Sequence, residues 1–373
     1  MQTRRHPLLS PSLGTQRELT SWHFGPVDQG RKVYIQASLH ADELPGMLVA
    51  HHLREHLEAA EQRGELLGEV VLVPLANPIG LSQTLMYHQV GRFELGSMDN
   101  FNRHYPDFFH LVKDVVADRL GPDADANKQT IRAAMRDALL ARRPATELQS
   151  LRHELMLLSH DADWVLDLHC DYEAVLHMYV EEPVIEEMLP LARYLGARAL
   201  LWARGSGPLI SFDEGLSGPW WRLQEHFRDR APVPLACAST TVELRGQTDV
   251  GDAWAAQDAQ AIMNFLQLRG VVAGSPPALP PALCEATPLS GTEDLHAPHA
   301  GVIAFHRQAG DVVRAGDVIA DIVDPLSQRR TPVATRIDGV IYARHNLRWA
   351  TAGMEVCRVA GKTPIRSGNL LSP

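Results

Sequence analysis

Val33-Tyr34-Ile35-Gln36-Ala37-Ser38-Leu39 runs directly into His40-Ala41-Asp42-Glu43. The first part is apolar with little alternation, the pattern of a strand buried on both faces of a sheet. The polar turn is followed at once by a helical pattern. Leu44, Met47, Leu48, Leu53 and Leu57 set one apolar stripe on a helix from about Pro45 to Gln62. Pro45 suits its first turn and Gly64 its end. The same texture continues to about residue 270. Strands are expected at Lys32–Ser38, Glu69–Pro74, Asp163–Leu168, Ala174–Val180, Ala197–Trp202 and Thr240–Leu244. Helices are expected at Ala126–Arg142, Glu147–Ser159, Pro183–Leu195, Trp220–Arg230 and Ala253–Leu268. Alternating strands and helices imply an α/β chain with a doubly wound sheet. Ligands in such sheets sit beyond the carboxyl ends of strands.

His40 occupies one of these ends. A second apolar run, Trp164-Val165-Leu166, leads into Asp167-Leu168-His169 and delivers another histidine the same way. Two histidines and Glu43 suit a Zn²⁺ site with three protein ligands, an arrangement that keeps a position open for chemistry. Each residue also has a plainer reading. His40 alone is a polar loop residue, and Glu43 a first-turn carboxylate favoured by the helix dipole. Asp167 shares a face with His169 and is placed to accept the proton of a ligand histidine.

Three further elements carry chemistry. Asn102-Arg103, within Asp99-Asn100-Phe101-Asn102-Arg103, offers a planar guanidinium fork and an amide donor to a carboxylate; alone it reads as a surface loop. Thr241-Val242-Glu243-Leu244 sets a carboxylate on a buried strand, costly unless paired or functional. Glu243 is then either a general base beside a metal site or the partner of Arg245 or Arg222. His51, His52 and His56 on the first helix are read as solvated or core residues. Cys170 faces away from His169 and is not counted as a ligand.

Gly274-Ser275-Pro276-Pro277-Ala278-Leu279-Pro280-Pro281 breaks the pattern and reads as a linker over 274–286. It divides a catalytic domain, 1–273, from a β-rich domain, 287–373. The tail repeats itself weakly. Gly301-Val302-Ile303 recurs as Gly339-Val340-Ile341, and Gly316-Asp317-Val318-Ile319 is echoed by Gly353-Met354-Glu355-Val356 at nearly the same offset. A duplicated set of short strands suggests a small all-β sandwich, similar to the barrel-sandwich of biotinyl and lipoyl carriers. Those carriers need a lysine at the central hairpin, and Asp324-Pro325-Leu326-Ser327-Gln328-Arg329-Arg330 has none, so a swinging arm is not expected.

In order, His40-x-x-Glu43, Asn102-Arg103, Asp167-Leu168-His169 and Thr241-Val242-Glu243 resemble the succinylglutamate desuccinylase/aspartoacylase family. That resemblance implies a zinc carboxypeptidase-like fold with a mixed sheet. It implies one Zn²⁺ per chain on His40, Glu43 and His169. It further implies Glu243 as base and proton shuttle, Asn102 and Arg103 in substrate recognition, and an upstream arginine that polarises the scissile carbonyl. Arg92 is the candidate, with Tyr87 and His88 as neighbouring polar groups. The expected substrate is a small N-acyl amino acid or related amide. A zinc carboxypeptidase acting on peptides and a non-catalytic metal-binding protein are the alternatives.

Composition bounds this reading. The chain has 373 residues, 45% hydrophobic and 21% charged, with a net charge of −10. That balance argues against phosphate-backbone binding, so no nucleic-acid partner is expected. Four scattered cysteines form no CxxC, which argues against a disulfide framework. No apolar stretch approaches the length of a membrane span, and Arg4 and Arg5 precede no signal-like apolar segment. A cytoplasmic enzyme is the expectation, with homo-oligomerisation left open. Tyr342, His345 and Arg348 are polar side chains the tail could present to a substrate, though each also reads as surface.

Overall fold

The computed structural model describes residues 1–27 and 29–371. Its largest sheet has nine strands: β1 (Gln2–Pro7), β2 (Glu18–Phe24), β3 (Lys32–Ala37), β4 (Glu69–Val73), β5 (Trp164–Asp171), β6 (His177–Glu181), β7 (Ala199–Ala203), β8 (Ala238–Gly246) and β9 (Ala286–Pro288). Across the sheet they lie in the order β1-β2-β4-β3-β5-β8-β6-β7-β9. The centre, β4-β3-β5-β8, is parallel. β6 runs antiparallel to β8, and β1 and β2 form an antiparallel edge. The sheet is therefore mixed, as expected.

Seven helices cover its two faces: α1 (Pro45–Gln62), α2 (Phe108–Val116), α3 (Ala124–Ala141), α4 (Glu147–Ser159), α5 (Ile185–Leu195), α6 (Glu214–Phe227) and α7 (Asp252–Leu268). On one face, Leu53 and Leu57 of α1, Leu191 of α5 and Ile262 of α7 pack on Ile35, Leu166 and Val242. On the other, Val112, Ile131, Leu155 and Trp220 from α2, α3, α4 and α6 pack on Tyr34, Val71 and Val165. The alternation of β3 and β5 between these cores explains why both strands read as continuous apolar runs. Full burial of such side chains contributes roughly 1.5–3 kcal/mol each.

Several boundaries differ from the sequence reading, three of them beside the site. The strand expected to close at Leu168 continues to Asp171, because β8 pairs alongside it as far as Gly246. His169 therefore lies inside the strand. The helix expected from Trp220 begins at Glu214 and carries Pro219 in its interior. The strand expected from Ala174 splits into the pair Glu173–Ala174 and β6.

Beyond β9 the chain forms two small sheets around their own apolar core, which includes Ile303, Ile319, Ile341 and Val356. β10 (Thr292–His296), β14 (Gly339–Arg344) and β15 (Glu355–Ala360) belong to one; β11 (Gly301–Phe305), β12 (Val318–Val323) and β13 (Arg330–Ala334) belong to the other. The internal repeat has a physical basis. Gly301 and Gly339 each open a strand where a Cβ would stand 2.5 Å and 2.3 Å from a neighbouring carbonyl oxygen. Gly316 and Gly353 both have positive φ, 95° and 80°, a backbone conformation glycine adopts without steric cost. Glu173–Ala174, just past β5, adds to the first small sheet by pairing with Ala343 and Arg344.

Candidate active site

The turn after β3 sets the first two side chains. Ser38 adopts φ 58°, a conformation that costs a branched or bulky residue most. The turn is secured by Ser38 Oγ, which donates to the Glu43 carbonyl at 2.8 Å, and by Asn77 Nδ2, which donates to the Leu39 carbonyl at 2.8 Å. Glu43 then reaches across to β5. His40 Nδ1 lies 2.9 Å from Glu43 Oε1, and His169 Nδ1 lies 2.7 Å from Glu43 Oε2. The Cys170 backbone N–H donates to the same Oε2 at 3.2 Å. All three side chains are buried.

The outward nitrogens of both rings face oxygen. His40 Nε2 meets Asn100 Oδ1 at 2.9 Å, and His169 Nε2 lies 2.9 Å from Asp167 Oδ2. Gln36 Nε2 donates to the other oxygen of Asp167. With a cation bound, protons kept on Nε2 would leave both Nδ1 lone pairs free to serve as ligands beside Glu43. Three electron-pair donors then converge with their atoms all within 4.8 Å of one another. That donor set fits a divalent cation of borderline character. Without a cation the charges distribute unevenly. Burial, helped by Arg92, lowers the His40 pKa to about 4. Burial also disfavours charge on His169, but Asp167 and Glu43 flank its ring and carry its pKa well above the ordinary imidazole value. Burial would raise Glu43, yet His40 and His169 pull it well below the usual carboxylate range.

Around this cluster opens a cavity of about 560 Å³. Arg92 lines it, with Nη1 3.3 Å from His40 Nδ1 and 3.5 Å from Glu43 Oε1. Tyr87 and His88 sit on an exposed hairpin instead. Arg92 is held in place by Gly91, whose carbonyl accepts from Ala41 N at 3.0 Å and whose Cα leaves no room for a Cβ.

Asn102 and Arg103 are buried and line the same cavity. Asn102 Oδ1 accepts the Phe212 N–H at 2.8 Å, so the amide nitrogen is the group it can offer a ligand. Arg152 of α4 holds this loop through the Asn100 carbonyl at 2.8 Å.

Glu243 lies on β8 in register with His169 and faces the cavity. Its Oε2 is buried with no hydrogen-bond partner among the described residues. Arg245 pairs with Asp258 and Arg222 with Asp107, so neither neutralises it. A bulge between Glu243 and Gly246, with Arg245 at φ 68°, turns the arginine aside; bulges re-aim side chains in this way. Burial, then the charge of Glu43, lifts the Glu243 pKa to about 8.

Sequence reading left out several residues of this site. Asn100 orients His40, though it adjoins a motif already singled out. Of the tail residues the sequence offered, Tyr342 and His345 line the cavity, together with Arg358, which it left out, whereas Arg348 pairs with Glu173 outside it. Tyr172 stacks on His345 at 4.2 Å between ring centroids. Nothing in the local sequence around Tyr172 or Arg358 signals these roles; they depend on the docking of the two small sheets.

The family model described as succinylglutamate desuccinylase/aspartoacylase catalytic domain matches residues 29–269. Among solved structures, a protein of that family from Shewanella amazonensis SB2B is 26% identical, with a TM-score of 0.85, covering 96% of this chain and 98% of its own. A second, from Shewanella frigidimarina NCIMB 400, is 26% identical at the same TM-score, with 96% and 97% covered. The ectoine utilization protein EutE (DoeB) from Ruegeria pomeroyi shares the fold at 17% identity, with a TM-score of 0.62 and 94% and 90% covered. No curated protein matches the chain.

Proposed function

Since the chain belongs to the succinylglutamate desuccinylase/aspartoacylase family, whose members are deacylases, we propose that it hydrolyses the amide bond of a small N-acyl amino acid or related compound with the help of one zinc ion. The observation that supports this most is the convergence of His40 Nδ1, Glu43 and His169 Nδ1 beside Glu243, whose buried Oε2 has no hydrogen-bond partner among the described residues. A pure binding site needs no such base. Among the described residues no helix is long and apolar enough to cross a membrane.

Zinc held by His40, Glu43 and His169 would supply Lewis acidity and make water more acidic. The chain's own groups do the rest. Glu243 accepts the proton of the attacking water at its free Oε2 and later returns it to the leaving nitrogen. Arg92 donates toward the oxygen of the scissile carbonyl as negative charge gathers there. The Arg103 fork and the Asn102 amide hold a substrate carboxylate and so fix the carbonyl against Glu243. Tyr342 and Arg358 wall the cavity from the other side, which favours compact substrates over long peptides.

The test is a metal analysis of the purified protein, followed by a panel of N-acyl amino acids set against C-terminal dipeptides and tripeptides. Zinc near one per chain and hydrolysis confined to the small acyl compounds are expected. Preferential cleavage of peptides would replace this reading with a carboxypeptidase, and zinc without hydrolysis of any member would remove it.

A further inference from the structure

We propose that the end of the cavity bounded by Glu181, Asp213 and Glu214 is a subsite for a cation on the substrate, an ammonium or guanidinium carried by the amine half of the acylated compound. This rests on the deacylase reading of the neighbouring centre.

Several of this chain's shielded carboxylates are matched with cations. Asp163 has Lys128 and Arg132, Asp171 has Arg358, and Asp258 has Arg245. The cavity end breaks that habit. Glu181 is only 6% exposed and Asp213 only 8%. Among the described residues no Lys or Arg forms an ion pair with either, or with Glu214; Arg103 feels the charges of Glu214 and Asp213 without pairing with them, and the charges Glu181 feels most are those of Glu214 and Asp213. Its Oε2 accepts from two neutral donors, Ser217 Oγ at 2.9 Å and Trp221 Nε1 at 3.1 Å. Its Oε1 receives no donor from the described residues, and Glu181 lines the cavity. Burial pushes Glu181 up to about 8 and Asp213 up to about 6. Burial of Glu181 among neutral donors is costly, and an incoming cation supplies it with a countercharge.

The walls are built to keep these carboxylates in place. Glu214 is occupied as a brace, accepting Ser206 N at 2.6 Å and Ser211 N at 3.2 Å. The Ser211 hydroxyl donates to Asp213. Ser239 Oγ ties the Asp213 carbonyl and the Ser217 hydroxyl together. The spacing also suits one elongated molecule. Glu243 pairs in register with His177, and Glu181 lies four residues further along β6 on the same face. At about 3.3 Å per residue, that sets the two backbones roughly 13 Å apart. Side chains reaching inward shorten the gap to the length of a lysine or arginine side chain.

The experiment uses the metal-loaded protein. Nα-acetyl-L-lysine and Nα-acetyl-L-arginine are compared with Nα-acetyl-L-norleucine, which keeps the length and lacks the charge. The wild type is expected to favour the basic substrates by tenfold or more in kcat/KM, roughly the weight of one buried charge contact. Glu181→Gln is expected to bring that ratio close to one. Asp213→Asn serves as the second variant, and the wild-type ratio is decisive even when neither variant folds. Equal turnover of all three compounds by the wild type overturns the subsite and leaves the deacylase reading standing. Where none is hydrolysed, calorimetric binding of the same compounds decides. Selective binding of the basic pair, lost in Glu181→Gln, supports the subsite although the deacylase reading has failed, and no selectivity overturns it.

Discussion

Arg358 Nη1 lies 2.9 Å from Asp171 Oδ2, which joins the last strand of the C-terminal sheets to the strand that carries His169. Both side chains are largely shielded, and Arg358 also pairs with Glu355 at 2.7 Å. Replacing Arg358 by Met leaves Asp171 without its closest countercharge. A destabilisation of about 3–5 kcal/mol is expected, the usual cost of breaking a buried pair from one side. Urea unfolding measures it. The double variant with Asp171→Asn should recover part of the loss, and an additive result would mean that the two groups act independently.

Glu243→Gln keeps the shape of the side chain and removes its basicity. Metal content is expected to stay near that of the wild type while turnover falls by roughly 10²–10⁴-fold. Retained activity would show that the proton leaves by another route.

His169→Ala acts on the other side of the same register pair. Here the bound metal itself should be lost, read by elemental analysis after dialysis. A variant that still carries stoichiometric zinc would remove His169 from the ligand set.

Gly91→Ala is small and sits away from the reacting atoms. A Cβ there would stand 2.2 Å from Asp42 N, so either the Arg92 loop or the His40 turn must shift. About 1–3 kcal/mol of stability should be lost, as for overpacking elsewhere. Turnover should fall further than stability because Arg92 moves. Unchanged kcat/KM would mean that Arg92 does not contact the substrate.

Glu181 makes a prediction about pH. Burial raises its carboxyl from 4.5 to about 8 in the folded chain. A raised pKa means that the folded state holds the proton more tightly than the unfolded one. The resulting stability is complete below about 4.5 and is lost as pH rises through about 8. Glu181→Gln should therefore gain on the wild type across that interval, by on the order of a few kcal/mol at most. Thermal melts in the absence of substrate, at steps from pH 5 to 9, follow the difference. A constant gap would mean that Glu181 is not held protonated.

The centre of the sheet was legible because β3, β4 and β5 are buried on both faces and so read as apolar runs. α1 and α4 match their expected spans because clean stripes and end signals bound them. The antiparallel edge was not legible. Gln2–Pro7 is polar and mostly exposed, and an edge strand needs no apolar pattern to pair. α2 was missed although Asp107 caps it by accepting the His110 N–H. α6 was truncated because Pro219 resembles a helix start, while Gly215, Ser217 and Gly218 weaken the turns before it. At the site, short spacings marked His40, Glu43 and His169. What escaped was everything assembled across distance: Asn100 behind His40, Arg358 against Asp171, and the acidic end built from β6 and α6.

The pairing of Glu173–Ala174 with Ala343 and Arg344 has a mechanical meaning. It splices one of the small sheets onto the chain just past β5, four residues after His169. The C-terminal sheets cannot swing outward like a hinged door without stripping a ladder anchored beside the imidazole. Opening the cavity by that route would therefore break these backbone bonds and the Arg358–Asp171 pair together.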